Sequence, residues 1–144
     1  MKRVLSLVGL LFVFGEGAVD ARTPPGKPAV LGEWHGKYIC TQGVTALKLS
    51  IAEGPKGRIT ATFRFGPLPE NPEVPRGLYA MEGSYEVKTR RLRLKGTQWI
   101  DASSGYSMVD LDGNMDAPGQ RLSGKVPFPG CTRFELERDA PFVS

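Results

Sequence analysis

From Trp34 to Glu137 apolar and polar residues alternate in short runs, and this period of two is what most constrains the fold of the chain. Successive side chains of an extended strand point to opposite faces, so each run has one dry face and one wet face. Trp34, Gly36, Tyr38 and Cys40 alternate with His35, Lys37 and Ile39. Thr45, Leu47, Leu49 and Ile51 alternate with Ala46, Lys48 and Ser50, and Ile59, Ala61, Phe63 and Phe65 with Thr60, Thr62 and Arg64. Tyr79, Met81, Gly83, Tyr85 and Val87 share one parity. So do Leu92 with Leu94, Val109 with Leu111, Leu122 with Gly124 and Val126, and Phe134 with Leu136. Turn-forming clusters separate the runs at Gln42-Gly43, Glu53 to Gly57, Lys88-Thr89-Arg90, Asp112-Gly113 and Pro129-Gly130. No window sustains the 3.6-residue period of an amphipathic helix.

Three of the runs carry a glycine at the same place: Trp34-x-Gly36-x-Tyr38, Met81-x-Gly83-x-Tyr85 and Leu122-x-Gly124-x-Val126. Each is followed by a turn and a second amphipathic run. A glycine inside a strand gives up packing but lets the strand bend sharply or a neighbour approach closely. Recurring in successive hairpins, it suits a sheet that curls and closes on itself. The expected fold is all-β, a single antiparallel up-and-down barrel of about eight strands, with a two-sheet β-sandwich as the alternative.

The N-terminus points to export. Met1-Lys2-Arg3 is basic, Val4 to Phe14 is apolar apart from Ser6 and Gly9, and Val19 and Ala21 fit the small-residue positions of a signal-peptidase site. The apolar run is shorter than the roughly 20 residues a spanning helix needs. Residues 1–21 are read as a signal peptide, 22–29 as a Pro-rich leader and 30–144 as the barrel domain. Removal of the signal leaves about 120 residues, enough for one domain with a real core. The expected localisation is secreted or periplasmic. In such an oxidising space Cys40 and Cys131 are expected to pair, closing a loop of about 90 residues.

The net charge of +4 favours anionic surfaces without requiring nucleic acid. Arg91, Arg93 and Lys95 flank inward Leu92 and Leu94, so they form an outward basic row. Such a row could hold an acidic protein face, an anionic polysaccharide or phosphate groups, or simply be a solvated wall. Nucleic acid is not expected, because the aromatics fall on the inward parity rather than being exposed for stacking. Those inward rings either fill the barrel or line a pocket for an apolar ligand.

Catalytic and metal signals are weak. His35, the one histidine, falls on the outward parity, and Ser103, Ser104 and Ser107 lack a nucleophile-elbow context. The run Asp110-Leu-Asp112-Gly-Asn114-Met-Asp116 places oxygens at alternate positions, as a calcium loop does. Its glycine comes too early, and Arg121 stands where a bidentate glutamate belongs. No metal or cofactor is assigned. Two further loops stand out. Gly66 to Arg76 contains Pro67, Pro69, Pro72 and Pro75, a stiff extended segment, and Trp99 and Tyr106 flank Asp101-Ala-Ser-Ser-Gly105.

Tyr38-Ile-Cys40-Thr-Gln-Gly43 and the alternating run after it resemble the first hairpin of bacterial periplasmic inhibitors of C-type lysozyme. Ser104-Gly105-Tyr106 echoes that family's inhibitory loop. The resemblance implies a small disulfide-bearing β-barrel that inserts loops into an enzyme cleft, and it carries over no site residue.

The leading expectation is an exported binding module that meets a secreted or envelope macromolecule through barrel-end loops. Trp99, Tyr106 and the proline loop would make the contact, with Arg91, Arg93 and Lys95 assisting. The alternatives are a carrier of a small apolar ligand inside the barrel and a hydrolase using paired carboxylates.

Overall fold

The computed structural model describes residues 27–140. The expected signal peptide, the first part of the leader and the last four residues lie outside that range. Eight strands follow one another: β1 (Gly32–Cys40), β2 (Gly43–Glu53), β3 (Ile59–Gly66), β4 (Gly77–Glu86), β5 (Arg91–Asp101), β6 (Leu111–Met115), β7 (Arg121–Lys125) and β8 (Arg133–Arg138). Each pairs antiparallel with the next, and β1 pairs with β8, so the sheet is a closed up-and-down barrel rather than a sandwich. Closure leaves no edge strand along most of the wall.

The side chains that alternation sends inward meet in one core. Trp34, Tyr79, Phe63, Phe134, Leu49, Ile59, Met81, Leu92, Leu111 and Leu122 are all at most 1% exposed. Fully burying one such side chain is worth about 1.5–3 kcal/mol, so the core supplies the main driving force. The repeated glycines mark where the wall folds most tightly. A Cβ on Gly36 would strike the Glu135 carbonyl, one on Gly83 the Arg93 carbonyl, and Gly124 sits against Gly113 and the Asp112 carbonyl. These pairs face each other in register, Gly36 with Leu136, Gly83 with Leu94 and Gly113 with Gly124.

That last pair corrects one reading. Asp112-Gly113 is not a hairpin turn but the middle of β6, where Gly113 yields space to Phe134. The turn comes later, where Asp116 Oδ1 accepts the backbone N–H groups of Gln120 and Arg121 and Gly119 takes φ 77°.

The two ends differ. At one end the chain enters across the barrel floor. Trp34 Nε1 donates to the Val30 carbonyl at 3.0 Å, and the Arg138 guanidinium lies over the Trp34 ring, 4.2 Å from its centre. Arg138 shares the inward parity of Phe134 and Leu136, and its donors close the end like a bolt: Nε to Gly119 O at 2.8 Å, Nη1 to Leu31 O at 2.8 Å and Nη2 to Ala29 O. Charge-assisted hydrogen bonds are worth about 1.5–3 kcal/mol each, and the cation–π contact adds about 1 kcal/mol. Because water can reach part of this network once it is broken, Arg138→Met is expected to destabilise by about 3 kcal/mol. Urea unfolding followed by far-ultraviolet circular dichroism measures it, and a loss below about 1 kcal/mol would show that the end is closed by packing alone.

At the other end the disulfide Cys40–Cys131 joins the β1–β2 turn to the β7–β8 loop across a sequence separation of 91. The β3–β4 and β5–β6 loops open on this same end, because alternate connections of an up-and-down barrel share an end.

Candidate functional site

The disulfide end carries a cleft of about 350 Å³. Tyr38 and Gln42 form one wall, Tyr106 and Val109 a second, and Phe128 and Pro129 a third, with the disulfide at its base. The lining comes from the end of β1 with its turn, from the β5–β6 loop and from the β7–β8 loop, so the cleft exists only in the closed barrel.

A chain of aromatic rings runs from the core to this cleft. Phe63 stacks on Tyr79 with centroids 4.6 Å apart, and Tyr38 meets Phe63 edge-on at 5.1 Å. Trp99 meets Tyr79 edge-on at 5.2 Å, and Tyr106 stacks on Phe65 at 5.5 Å. Trp99 and Tyr106 thus both pack on Phe65, as half-buried rings braced from below rather than free loop tips, and of the two only Tyr106 lines the cleft. Bracing costs a partner little side-chain entropy on contact, which is what makes such rings useful at an interface.

The Tyr79 hydroxyl fixes the β5–β6 loop. It donates to the Val109 carbonyl and accepts the Val109 N–H, both at 3.0 Å, satisfying both backbone groups of a buried residue at once. Burial pushes the phenols of Tyr38 and Tyr79 above their usual range, so both stay neutral and keep their protons. A turn in which Tyr106 N donates to Ser103 O then presents the Tyr106 ring.

Phe128 was not singled out by alternation, since it lies in a loop between Pro127 and Pro129. It is 40% exposed, and its only sequence signal is an aromatic residue held between two prolines. Hydrogen bonds from Phe128 N to Val126 O and from Cys131 N to Phe128 O fold this loop tightly, and Thr132 N donates to Ile39 O to tie it to β1.

The proline loop does not line this cleft. Asn71 Nδ2 donates to Gln42 O at 2.7 Å and Val44 O at 3.0 Å, and Val74 is buried, so the loop folds back beside β1 and β2. There Leu68 and Glu70 flank a mixed-charge groove of about 610 Å³ on the outer wall, with His35, Lys37, Glu135 and Glu137. Its strand carboxylates face cations: Lys37 lies 4.0 Å from Glu135 and Arg121 3.8 Å from Glu137. Exposed pairs of this kind contribute at most about 1 kcal/mol each. His35 is exposed, as its parity requires, and pairs with Asp139.

Arg91, Arg93 and Lys95 stand on the outer face of β5, away from the cleft. Arg91 forks onto Asp112, with Nε to Oδ1 at 3.0 Å and Nη2 to Oδ2 at 2.8 Å, and Arg93 lies 4.0 Å from the same carboxylate. The hydrogen bond from Arg91 holds the Asp112 carboxyl below the usual carboxylate range and raises the Arg91 guanidinium in turn. Glu82 faces Lys95 and Glu86 faces Arg91 across the ladder. Arg91 and Arg93 thus share one carboxylate, and Lys95 forms no ion pair among the described residues. The other acids of the Asp110–Asp116 run diverge: Asp110 accepts from Gly96 N and Asp116 caps its own turn. Among the described residues no three His, Cys, Asp or Glu side chains converge as metal ligands.

No protein-family model matches the chain, and no curated protein or solved structure matches it.

Proposed function

We propose that the protein is an exported binding module that contacts a macromolecular partner through the disulfide end, with Tyr106 and Phe128 as the leading contacts and Trp99 supporting Tyr106 from behind. The observation that carries this reading is the cleft lined by the end of β1 with its turn, the β5–β6 loop and the β7–β8 loop, the first and last of them joined by Cys40–Cys131. Binding residues usually sit on loops held by a rigid scaffold, and aromatic rings with little freedom left to lose make the strongest anchors. The interior favours this reading over a carrier, since the inward rings pack on one another and fill the barrel. An inhibitor-like mode, with the rim pressed into a partner's cleft, fits the same geometry.

The test is retention of a partner on immobilised protein from envelope or secreted extracts, followed by measurement of its affinity for three variants. Phe128→Asp and Tyr106→Ala are expected to weaken it by about thirtyfold or more, the scale of an interface anchor. Val87→Ser, at the opposite end, is expected to leave it unchanged. Equal affinity for all variants, or no partner retained, overturns the proposal.

A further inference from the structure

The end closed by Arg138 carries a second surface. Three hairpin tips project there. The β2–β3 tip holds Lys56 and Arg58, the β4–β5 tip holds Val87, Lys88 and Arg90, and the β6–β7 tip holds Ala117 and Pro118, all exposed. None of the four cations forms an ion pair among the described residues, unlike the β5 row with its Asp112. The acids of this end stand lower or are engaged: Glu53 and Glu86 close their strands, Glu33 accepts from Ser50, Asp139 pairs with His35 and Lys48, and Asp116 accepts the N–H groups of its own turn.

Two independent features single out these tips. Lys56 and Arg90 are the two non-glycine residues with positive φ among the described residues, at 58° and 59°. That is left-handed backbone in which glycine or asparagine is at ease and a long side chain is not. Arg90 spends its Nε on the Met115 carbonyl at 3.1 Å and keeps the rest of its guanidinium exposed, whereas Lys56 makes no side-chain hydrogen bond among the described residues, the pattern expected when a side chain is kept for what it meets outside the protein. The second feature is Val87, 71% exposed and directly before Lys88, the most exposed large apolar residue described.

We infer that the closed end docks on an anionic phospholipid bilayer, with Lys56, Arg58, Lys88 and Arg90 over the headgroups and Val87 entering the interface. Basic residues near an anionic bilayer each contribute about fivefold in affinity, and a neighbouring apolar side chain adds contact that a soluble polyanion cannot use. The path of the chain agrees. Lys27 to Leu31 crosses this same end, where Ala29 and Leu31 accept from Arg138, so Lys27 adds a further cation to it. A bilayer contact here leaves the disulfide end directed away from the membrane.

The experiment is co-sedimentation of the purified protein with vesicles of phosphatidylcholine alone and of phosphatidylcholine mixed with phosphatidylglycerol. Binding is expected only to the mixed vesicles, and high salt is expected to release it. Lys56→Gly with Arg90→Gly is expected to weaken binding by about twenty-five-fold, from fivefold per cation. Lys56→Gly alone should melt no lower than the parent, since glycine relieves its left-handed position, and its fivefold loss separates lost contact from lost folding, whereas Arg90→Gly also gives up the Nε bond to the Met115 carbonyl and should melt slightly lower. Val87→Ser is expected to cost about fourfold. Equal binding to both vesicle types, undiminished binding of the double glycine variant, or competition by dextran sulfate with no effect of Val87→Ser would overturn the inference.

Discussion

Gly83→Ala is expected to destabilise the protein by about 3 kcal/mol, although it adds a single methyl group. The new Cβ would meet the Arg93 carbonyl oxygen and press on Leu94 Cα, which are main-chain atoms of the neighbouring strand with no rotamer to escape into. Relief requires β4 and β5 to part, and these two share one of the longest ladders of the barrel. Ser84→Ala, one residue on and facing solvent, is the control and should fall within about 0.5 kcal/mol of the parent. Equilibrium urea unfolding of both variants decides it. Equal stability would mean that the strands are not pressed together at Gly83, and the same doubt would then fall on Gly36 and on the Gly113–Gly124 pair.

The second large effect is expected at the disulfide. Removing it as Cys40→Ser with Cys131→Ser frees a loop with a sequence separation of 91, and loop-closure entropy alone puts the loss at about 4 kcal/mol. The bond also ties two walls of the cleft, so partner affinity should fall in the double variant even under conditions where the barrel remains folded. Denaturant midpoints with and without reductant give the first quantity, and binding of the folded double variant gives the second. A stability loss below about 1 kcal/mol would show that the unfolded chain is already held compact by other contacts.

How much of this could be read from the residues differs between fold and site. The alternating runs located most strands and their inward faces, because parity is a local property that a barrel and a sandwich both respect, but they placed β6 too early and carried the inward parity of β4 on to Val87, which stands exposed in the following turn. The glycines tipped the choice towards closure, since Gly36, Gly83 and Gly124 recur where a curling wall needs room. Asp112-Gly113 misled because the pair is good turn chemistry, yet Gly113 is demanded by Phe134 and Gly124 across the interior, which no local pattern reveals. Arg138 has the parity of Phe134 and Leu136 and so was bound to point inward, but its role depends on Trp34 and on carbonyls more than a hundred residues away.

The site was half legible. Trp99 and Tyr106 stood out as aromatics around a loop, and both pack on Phe65, though only Tyr106 lines the cleft. The proline loop was grouped with them but is drawn aside by Asn71, a single side-chain anchor whose reach cannot be inferred from spacing. Phe128 joined the site because the β7–β8 loop shares an end with the β5–β6 loop, which follows from topology once the strand count is known. The basic row of β5 was read correctly as outward. The pairing of Arg91 and Arg93 with Asp112 depends on the register of β5 against β6, which is set by the stagger of the whole barrel.

All of these assignments require the first and last strands to lie side by side, so that one end is sealed and the other gathers its loops. Backbone nuclear Overhauser contacts in isotopically labelled protein report that neighbourhood directly. Cross-strand contacts are predicted between Gly36 and Leu136 and between Tyr38 and Phe134, in addition to those joining Gly36 to Leu47 and Tyr38 to Thr45. A strand from Gly32 to Cys40 that contacts only the strand from Gly43 to Glu53, with its other flank open to solvent, would contradict the account.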